Sequence, residues 1–281
     1  MTGRRVSRRL FLRSAAGVAA AAVAPSEPAG AAIPRWWSSL VWGVFENHGF
    51  AQVAALPSHR RLAEEGILFT RYFAVAHPSG PNYRAMVSGE TWGDQEVVDT
   101  PHPTVGSVGA VATPPVPTYL YHLVGEMDQK HNPFVDLHAP IARTRHGLDN
   151  LWADLQGGPT PLPERCLVYV GWDDENNMHS GSMERADANL SALLDVLGAS
   201  PWFTMPDRNG RYPALFFTYD ESDYHGDNRV FAAFWGRGAR RAAASAIRHT
   251  HYGFCRTISD NWAPPRLGQA AREAPIAEAW P

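Results

Sequence analysis

Apolar runs rich in β-branched and aromatic residues recur along the chain at 39–45 (SLVWGVF), 67–76 (ILFTRYFAVA), 165–172 (RCLVYVGW), 214–220 (ALFFTYD) and 229–236 (RVFAAFWG). Several lack any polar alternation, which is the pattern of strands covered on both faces. Between them lie segments that read as helices: 57–66, 81–89, 118–127, 182–198 and 249–262. Strands alternating with helices predict an α/β sandwich, with a mostly parallel central sheet and helices on both faces. The stretch 91–117 is rich in proline and glycine and has no period, so it reads as a long excursion from the fold rather than a domain boundary.

In open sheets of this kind ligands bind beyond the carboxyl ends of the strands, so the polar residues that end each apolar run carry the functional information. Glu46, Asn47 and His48 follow the first run, and His77 to Asn82 (HPSGPN) follow the second. Asp220 and Glu221, with Asp223, follow the fourth, while His179 and His251 lie near other element ends. Adjacent carboxylates such as Asp220 and Glu221 repel one another until a cation or water relieves them, and a hard divalent ion suits them. Ser79 stands two residues before Pro81, a residue favoured in the first turn of a helix, where free N–H groups and the helix dipole stabilise both an anion and a serine nucleophile. Each feature alone also has a plainer reading: Ser79 as a helix cap, Asp220 and Glu221 as solvated loop acids, Glu46 and Asn47 as a cap at a strand exit.

Composition narrows the class. The chain has 281 residues, 44% of them hydrophobic, enough for one sizeable core. Ser7, Arg8, Arg9, Phe11 and Leu12 precede a short run of small apolar residues and an Ala29-Gly30-Ala31 cleavage pattern. Residues 1–31 therefore read as a twin-arginine signal peptide, and 32–281 as a single exported domain in the cell envelope, the periplasm or outside the cell. The whole chain carries a net charge of −3, and removal of five arginines and Glu27 with the signal leaves −7, which argues against a nucleic-acid partner. No apolar run approaches the ~20 residues a membrane helix needs. Spacing does not decide whether Cys166 and Cys255 pair.

Taken in order, FENHGF, AVAHPSGPNYRAMVSG, KHNPF, NNMHSGSMERADANL, FFTYDES and HTHYGFCRTISDNW resemble the bacterial phosphoesterase family of acid phosphatases and phospholipases C. That family belongs to the alkaline phosphatase superfamily, and the resemblance covers nearly all of residues 39–265. It implies an alkaline phosphatase-like sandwich and a divalent metal (magnesium, calcium, manganese, zinc or iron) bound by Glu46, Asn47, Ser79, Asp220 and Glu221. It also implies Ser79 as nucleophile, Asn82 as a donor to a phosphoryl oxygen, and His179 and His251 beside the metal or phosphate. His77, Lys130 and His131 are the implied substrate contacts.

The chain departs from the family where relatives read Asn-Asp-Met-His-Asp: here Asn177 and Ser180 replace both carboxylates, which weakens a second metal site, with Asp173, Asp174 and Glu175 near enough to compensate. The connection from Met127 to Lys130 is also contracted. The expected substrate is a small phosphate ester or a phospholipid head group. A phospholipase C-like diesterase and a non-catalytic phosphate-binding relative remain as alternatives.

Overall fold

The computed structural model describes residues 36–112, 115–262 and 265–281, so the expected export signal and its cleavage site fall outside it. In chain order its strands are β1 (Leu40–Phe45), β2 (Ile67–Phe69), β3 (Tyr72–Phe73), β4 (Thr118–Val124), β5 (Arg143–His146), β6 (Leu167–Trp172), β7 (Ala214–Tyr219), β8 (Arg229–Val230), β9 (Ala232–Trp235), β10 (Ala243–Ser245) and β11 (His249–Thr250). The main sheet has the order β10-β2-β9-β7-β1-β6-β4-β5, and β9 alone runs against its neighbours. A small sheet, β11-β3-β8, completes the strands among the described residues. The expected mostly parallel α/β architecture is what is found.

Every residue of β1, β6 and β7 is buried, which accounts for apolar runs without alternation. Successive side chains of β7 serve opposite faces: Phe216 stacks on Phe254 at 4.0 Å, whereas Phe217 meets His59 at 5.7 Å. The first face is covered by the helices Ser79–Ser88, Val105–Val111 and His251–Trp262, the second by Pro57–Glu65, Leu148–Leu155 and Met183–Ala199.

Two sequence expectations change, and the open pairing of the cysteines is answered. The segment 118–127 is not a helix but strand β4, which pairs parallel with both β5 and β6. Its Tyr121, His122 and Leu123 are all buried, so both strand faces are covered, and the chain turns at Gly125 with φ +61°. The run 67–76 breaks into β2 and β3, and the run 229–236 into β8 and β9, each pair dividing between the two sheets. Cys166 and Cys255 are both buried free thiols and are not joined in a disulfide; burial pushes both thiols to high pKa.

Among the described residues, no helix is long and apolar enough to cross a membrane.

Candidate active site

Strands β6, β1 and β7 lie side by side and parallel, so their carboxyl ends form one rim. Glu46 follows β1, Asp220 and Glu221 follow β7, and Asn176 to His179 follow β6. The helix Ser79–Ser88 points its first residue at the same rim. Ser79 is not a capping residue, because the N-cap is Pro78 and the Ser79 hydroxyl makes no bond to its own helix. Instead, its Oγ faces two carboxylates, Glu46 Oε2 at 3.2 Å and Glu221 Oε1 at 3.3 Å.

Three acids thus crowd one buried hydroxyl. Glu46, Asp220 and Glu221 are almost wholly shielded from solvent. Burial, and then the neighbouring Asp220, push the Glu46 carboxyl well above its ordinary range. Burial raises Asp220 as well, against an opposing hydrogen bond of 3.0 Å from the Asn47 backbone N–H. Burial and Asp220 together push Glu221 up to about 9.

The donor set fits a hard divalent cation on two counts. Clustered carboxylates in low dielectric need positive charge, and two oxygens here, Asn47 Oδ1 and Asp220 Oδ2, are buried without any hydrogen-bond partner. Asn47 sits in the left-handed region at φ +53°, a conformation asparagine tolerates better than most residues. Glu46, Asn47, Ser79, Asp220 and Glu221, the ligand set implied by the sequence, therefore do converge.

The remaining expected residues divide. His77 contacts Glu221 through Nδ1 and stacks on Tyr224 with ring centroids 4.1 Å apart, at the mouth of the site. His131 lies 3.2 Å from Glu46 Oε2 and 3.1 Å from Asp174 Oδ1, and its imidazole holds the Asp174 carboxyl below the usual range. Lys130 Nζ reaches His179 Nε2 at 3.3 Å, so these two form a polar wall.

His251 and Asn82 take different positions from those expected. The fully buried His251 is held near pKa 4 by desolvation; its Nε2 donates to the Asp220 carbonyl at 2.6 Å and its Nδ1 accepts from Tyr72 at 3.2 Å. It positions Asp220 from behind rather than facing the site. Asn82 accepts from the Val75 and Ala76 N–H groups at 2.9 and 3.0 Å and donates to the Ala76 and Pro78 carbonyls at 3.0 and 3.2 Å. Both amide hydrogens are committed to the loop before Ser79, leaving none for a phosphoryl oxygen.

The structure adds residues that the sequence reading did not assign. Tyr83, one helical turn after Ser79, donates its hydroxyl to Glu46 Oε1, and the four-residue spacing is a signal that could have found it. Glu96 could not have been found that way, since it comes from the aperiodic 91–117 excursion. Its Oε2 accepts from the Gly80 N–H at 2.9 Å, and it lies 3.9 Å from Lys130 Nζ. A Cβ on Gly80 would collide with the Glu96 backbone, so only glycine permits this approach. Buried Arg84 fixes the excursion through the Thr91 carbonyl at 2.6 Å, the Glu96 carbonyl at 3.1 Å and Asp136 at 3.0 Å. Asn177 turns inward: its side-chain oxygen accepts from the His179 N–H at 2.9 Å, and its carbonyl from Glu46 N–H at 2.9 Å. Of Asp173, Asp174 and Glu175, Asp174 reaches the rim, at 3.8 Å from His179.

No protein-family model matches the chain. It is 28% identical over 258 residues to a phosphate-repressible acid phosphatase of Penicillium chrysogenum, with 82% of this chain and 59% of that protein aligned. It is 26% identical over 268 residues to a phosphatidylinositol-3-phosphatase of Mycobacterium tuberculosis, which spans 90% of this chain and 85% of the relative. The chain thus covers less than two thirds of the fungal protein and most of the mycobacterial one. Among solved structures, it is similar to a protein in the alkaline phosphatase superfamily from Vibrio parahaemolyticus, with a TM-score of 0.57 at 13% identity over 86% of this chain and 71% of that one. A phosphonate monoester hydrolase from Silicibacter pomeroyi also has a TM-score of 0.57, at 11% identity over 85% of this chain and 76% of that one.

Proposed function

We propose that this chain, whose fold is that of the alkaline phosphatase superfamily, is a metal-dependent hydrolase of phosphate esters with Ser79 as its nucleophile. The observation that carries this reading is the Ser79 hydroxyl, set at a helix N-terminus between Glu46 and Glu221 with partnerless oxygens of Asn47 and Asp220 nearby. Glu46, Asn47, Asp220 and Glu221 would hold the ion together with Ser79. Bound there, a divalent ion supplies positive charge against the phosphoryl oxygens and favours the ionised serine hydroxyl.

The chain's own groups account for the rest. Ser79 Oγ forms a bond to phosphorus as the ester oxygen leaves, and water later cleaves the resulting phosphoserine to phosphate and free serine. The dipole of the helix start favours the anion. Lys130 and His179 line the side on which a phosphoryl group enters, and His131 keeps Glu46 in place from the buried side. His251 and Asn82 act at one remove by fixing Asp220 and the Ser79 loop. The relatives' names, acid phosphatase and phosphatidylinositol-3-phosphatase, favour a monoester carried on a small molecule or a phospholipid head group. Turnover of chromogenic phosphate mono- and diesters with magnesium, calcium, manganese, zinc and iron tests the reading. Monoesters should be cleaved faster, a diester preference would place the chain with phosphodiesterases, and no turnover with any ion would make it a phosphate-binding relative.

Glu96 occupies part of this proposed phosphate site, its carboxylate lying on the Gly80 N–H that a phosphoryl oxygen would otherwise use. Substrate must displace it. Glu96→Gln, which removes the charge and keeps the shape, should lower KM for a phosphate ester by roughly threefold to tenfold with kcat little changed, the equivalent of about 1 kcal/mol. An unchanged or raised KM would mean that Glu96 does not compete with substrate.

The reading also places the protein outside the cytoplasm, delivered folded by the twin-arginine machinery, on the strength of Arg8, Arg9 and the Ala29-Gly30-Ala31 pattern. Replacing Arg8 and Arg9 with lysine should leave the protein inside the cell; undiminished export of that variant in a cell-fractionation assay would disprove the route.

A further inference from the structure

On the far side of β6 from β1, at the edge of the main sheet, His122 lies two residues before the end of β4, and His146 ends β5 directly opposite it in the parallel register. Their rings stack with centroids 4.7 Å apart and 12° between planes. Glu126, in the turn that leaves β4, sets one carboxylate oxygen 3.2 Å from His122 Nδ1 and the other 2.9 Å from His146 Nδ1. One donor atom from each residue lies within 4.8 Å of the others. Ligands at ~2.0–2.2 Å around a tetrahedral ion stand roughly 3.3–3.5 Å apart, so this cluster is already near the size of a site.

His122 Nδ1 accepts from the Met127 N–H at 3.1 Å and also lies 3.2 Å from the Glu126 carboxylate, so an unprotonated ring nitrogen and an anion face one another, a repulsion that a cation shared with His146 would relieve. His122 is held in the sheet and is largely buried, whereas His146 and Glu126 are exposed. Closing the site therefore requires only small rotations of two surface side chains.

We propose that His122, Glu126 and His146 bind a zinc-type divalent ion, a second metal site separate from the one at Ser79. Two imidazoles and one carboxylate suit borderline ions such as zinc, cobalt or nickel better than the hard ions favoured by the all-oxygen set of Glu46, Asn47, Asp220 and Glu221. The two centres are chemically distinct. The ion is a brace: it ties edge strand β5 to the turn after β4. That turn packs on Asp173, since a Cβ on Gly125 would collide with the Asp173 side chain and the Asp173 N–H bonds to the Val124 carbonyl at 3.0 Å. Asp174, which partners His131, follows directly.

The test is a zinc titration of the untagged, chelator-stripped protein against a competing chromophoric chelator, with His146→Ala and Asp220→Asn run beside it. His146 is exposed, so its loss leaves the core intact. The expected result is one zinc equivalent that is weakened roughly tenfold or more in His146→Ala and retained in Asp220→Asn. Cobalt substituted into the same equivalent should give visible absorption that disappears in His146→Ala and persists in Asp220→Asn. The proposal is overturned if His146→Ala binds zinc as wild type does, if Asp220→Asn abolishes all zinc binding, or if the wild type binds none. None of these readouts depends on phosphatase activity, so they stand whatever the chemistry at Ser79 proves to be.

Discussion

Ser79→Ala should yield a folded protein that turns over phosphate esters roughly 10³-fold more slowly or worse, the scale on which loss of a nucleophile registers. Folding should survive, because Ser79 is not the cap of its helix and the hydroxyl's contacts to Glu46 and Glu221 are long. Their loss costs on the order of 1–3 kcal/mol at most. Ser79→Thr keeps a hydroxyl at the same place and should retain part of the activity. Circular dichroism separates lost fold from lost chemistry, and acid quench with a labelled phosphate ester should trap label on Ser79 when dephosphorylation is the slower step. If Ser79→Ala keeps near-native turnover, then water rather than serine attacks phosphorus.

Asp220→Asn should lose metal occupancy and activity together, with residual metal measured by elemental analysis of the dialysed protein. The same substitution should have the opposite effect on the chelated chain. Burial and Asp220 hold the folded-state pKa of Glu221 near 9, above its ordinary value, so the folded protein binds a proton there that the unfolded chain gives up at lower pH. The stability contributed by that proton is fully present below the ordinary carboxylate range and is lost as pH rises through about 9. Thermal melts of the chelated wild type should therefore fall between pH 5 and pH 9. Asp220→Asn removes one of the two causes of the shift and should flatten the fall, while saturating metal should flatten it in the wild type alone. A pH-independent melting temperature in the chelated wild type would mean that the three acids are hydrated and do not form a cation site.

Much of the architecture could be read from the order of residues because burial on both faces leaves an unmistakable mark. The runs SLVWGVF, RCLVYVGW and ALFFTYD contain β1, β6 and β7. The helical pattern at 182–198 was likewise legible and matches Met183–Ala199, which Ser182 caps by accepting from the Arg185 N–H. Strand β4 was not legible: most of its seven residues, from Leu120 to Leu123 without a break, are buried on both faces, and periodicity alone cannot separate that from a buried helix. Strand β5, with the sequence Arg-Thr-Arg-His at an edge, carries no hydrophobic signal, because its charged side chains face solvent and Asp154.

At the site, the sequence by itself placed Glu46, Asn47, Asp220 and Glu221 past the ends of apolar runs and Ser79 ahead of a helix, and the family resemblance grouped them as one set. Strand ends are fixed by the apolar runs before them, so their convergence follows from local pattern plus a parallel sheet. What only the tertiary structure decided is the use made of each group. Asn82 and His251 look catalytic in sequence, yet their polar atoms are consumed by backbone carbonyls and N–H groups at hand. Glu96 looks like one more loop acid, yet Arg84 and a side-chain-free Gly80 bring it onto the helix start. His122 and His146 lie far apart in sequence, and only the β4–β5 register sets them face to face. Hydrogen-bond saturation and cross-strand register are long-range properties, and residue order leaves them open until the sheet is assembled.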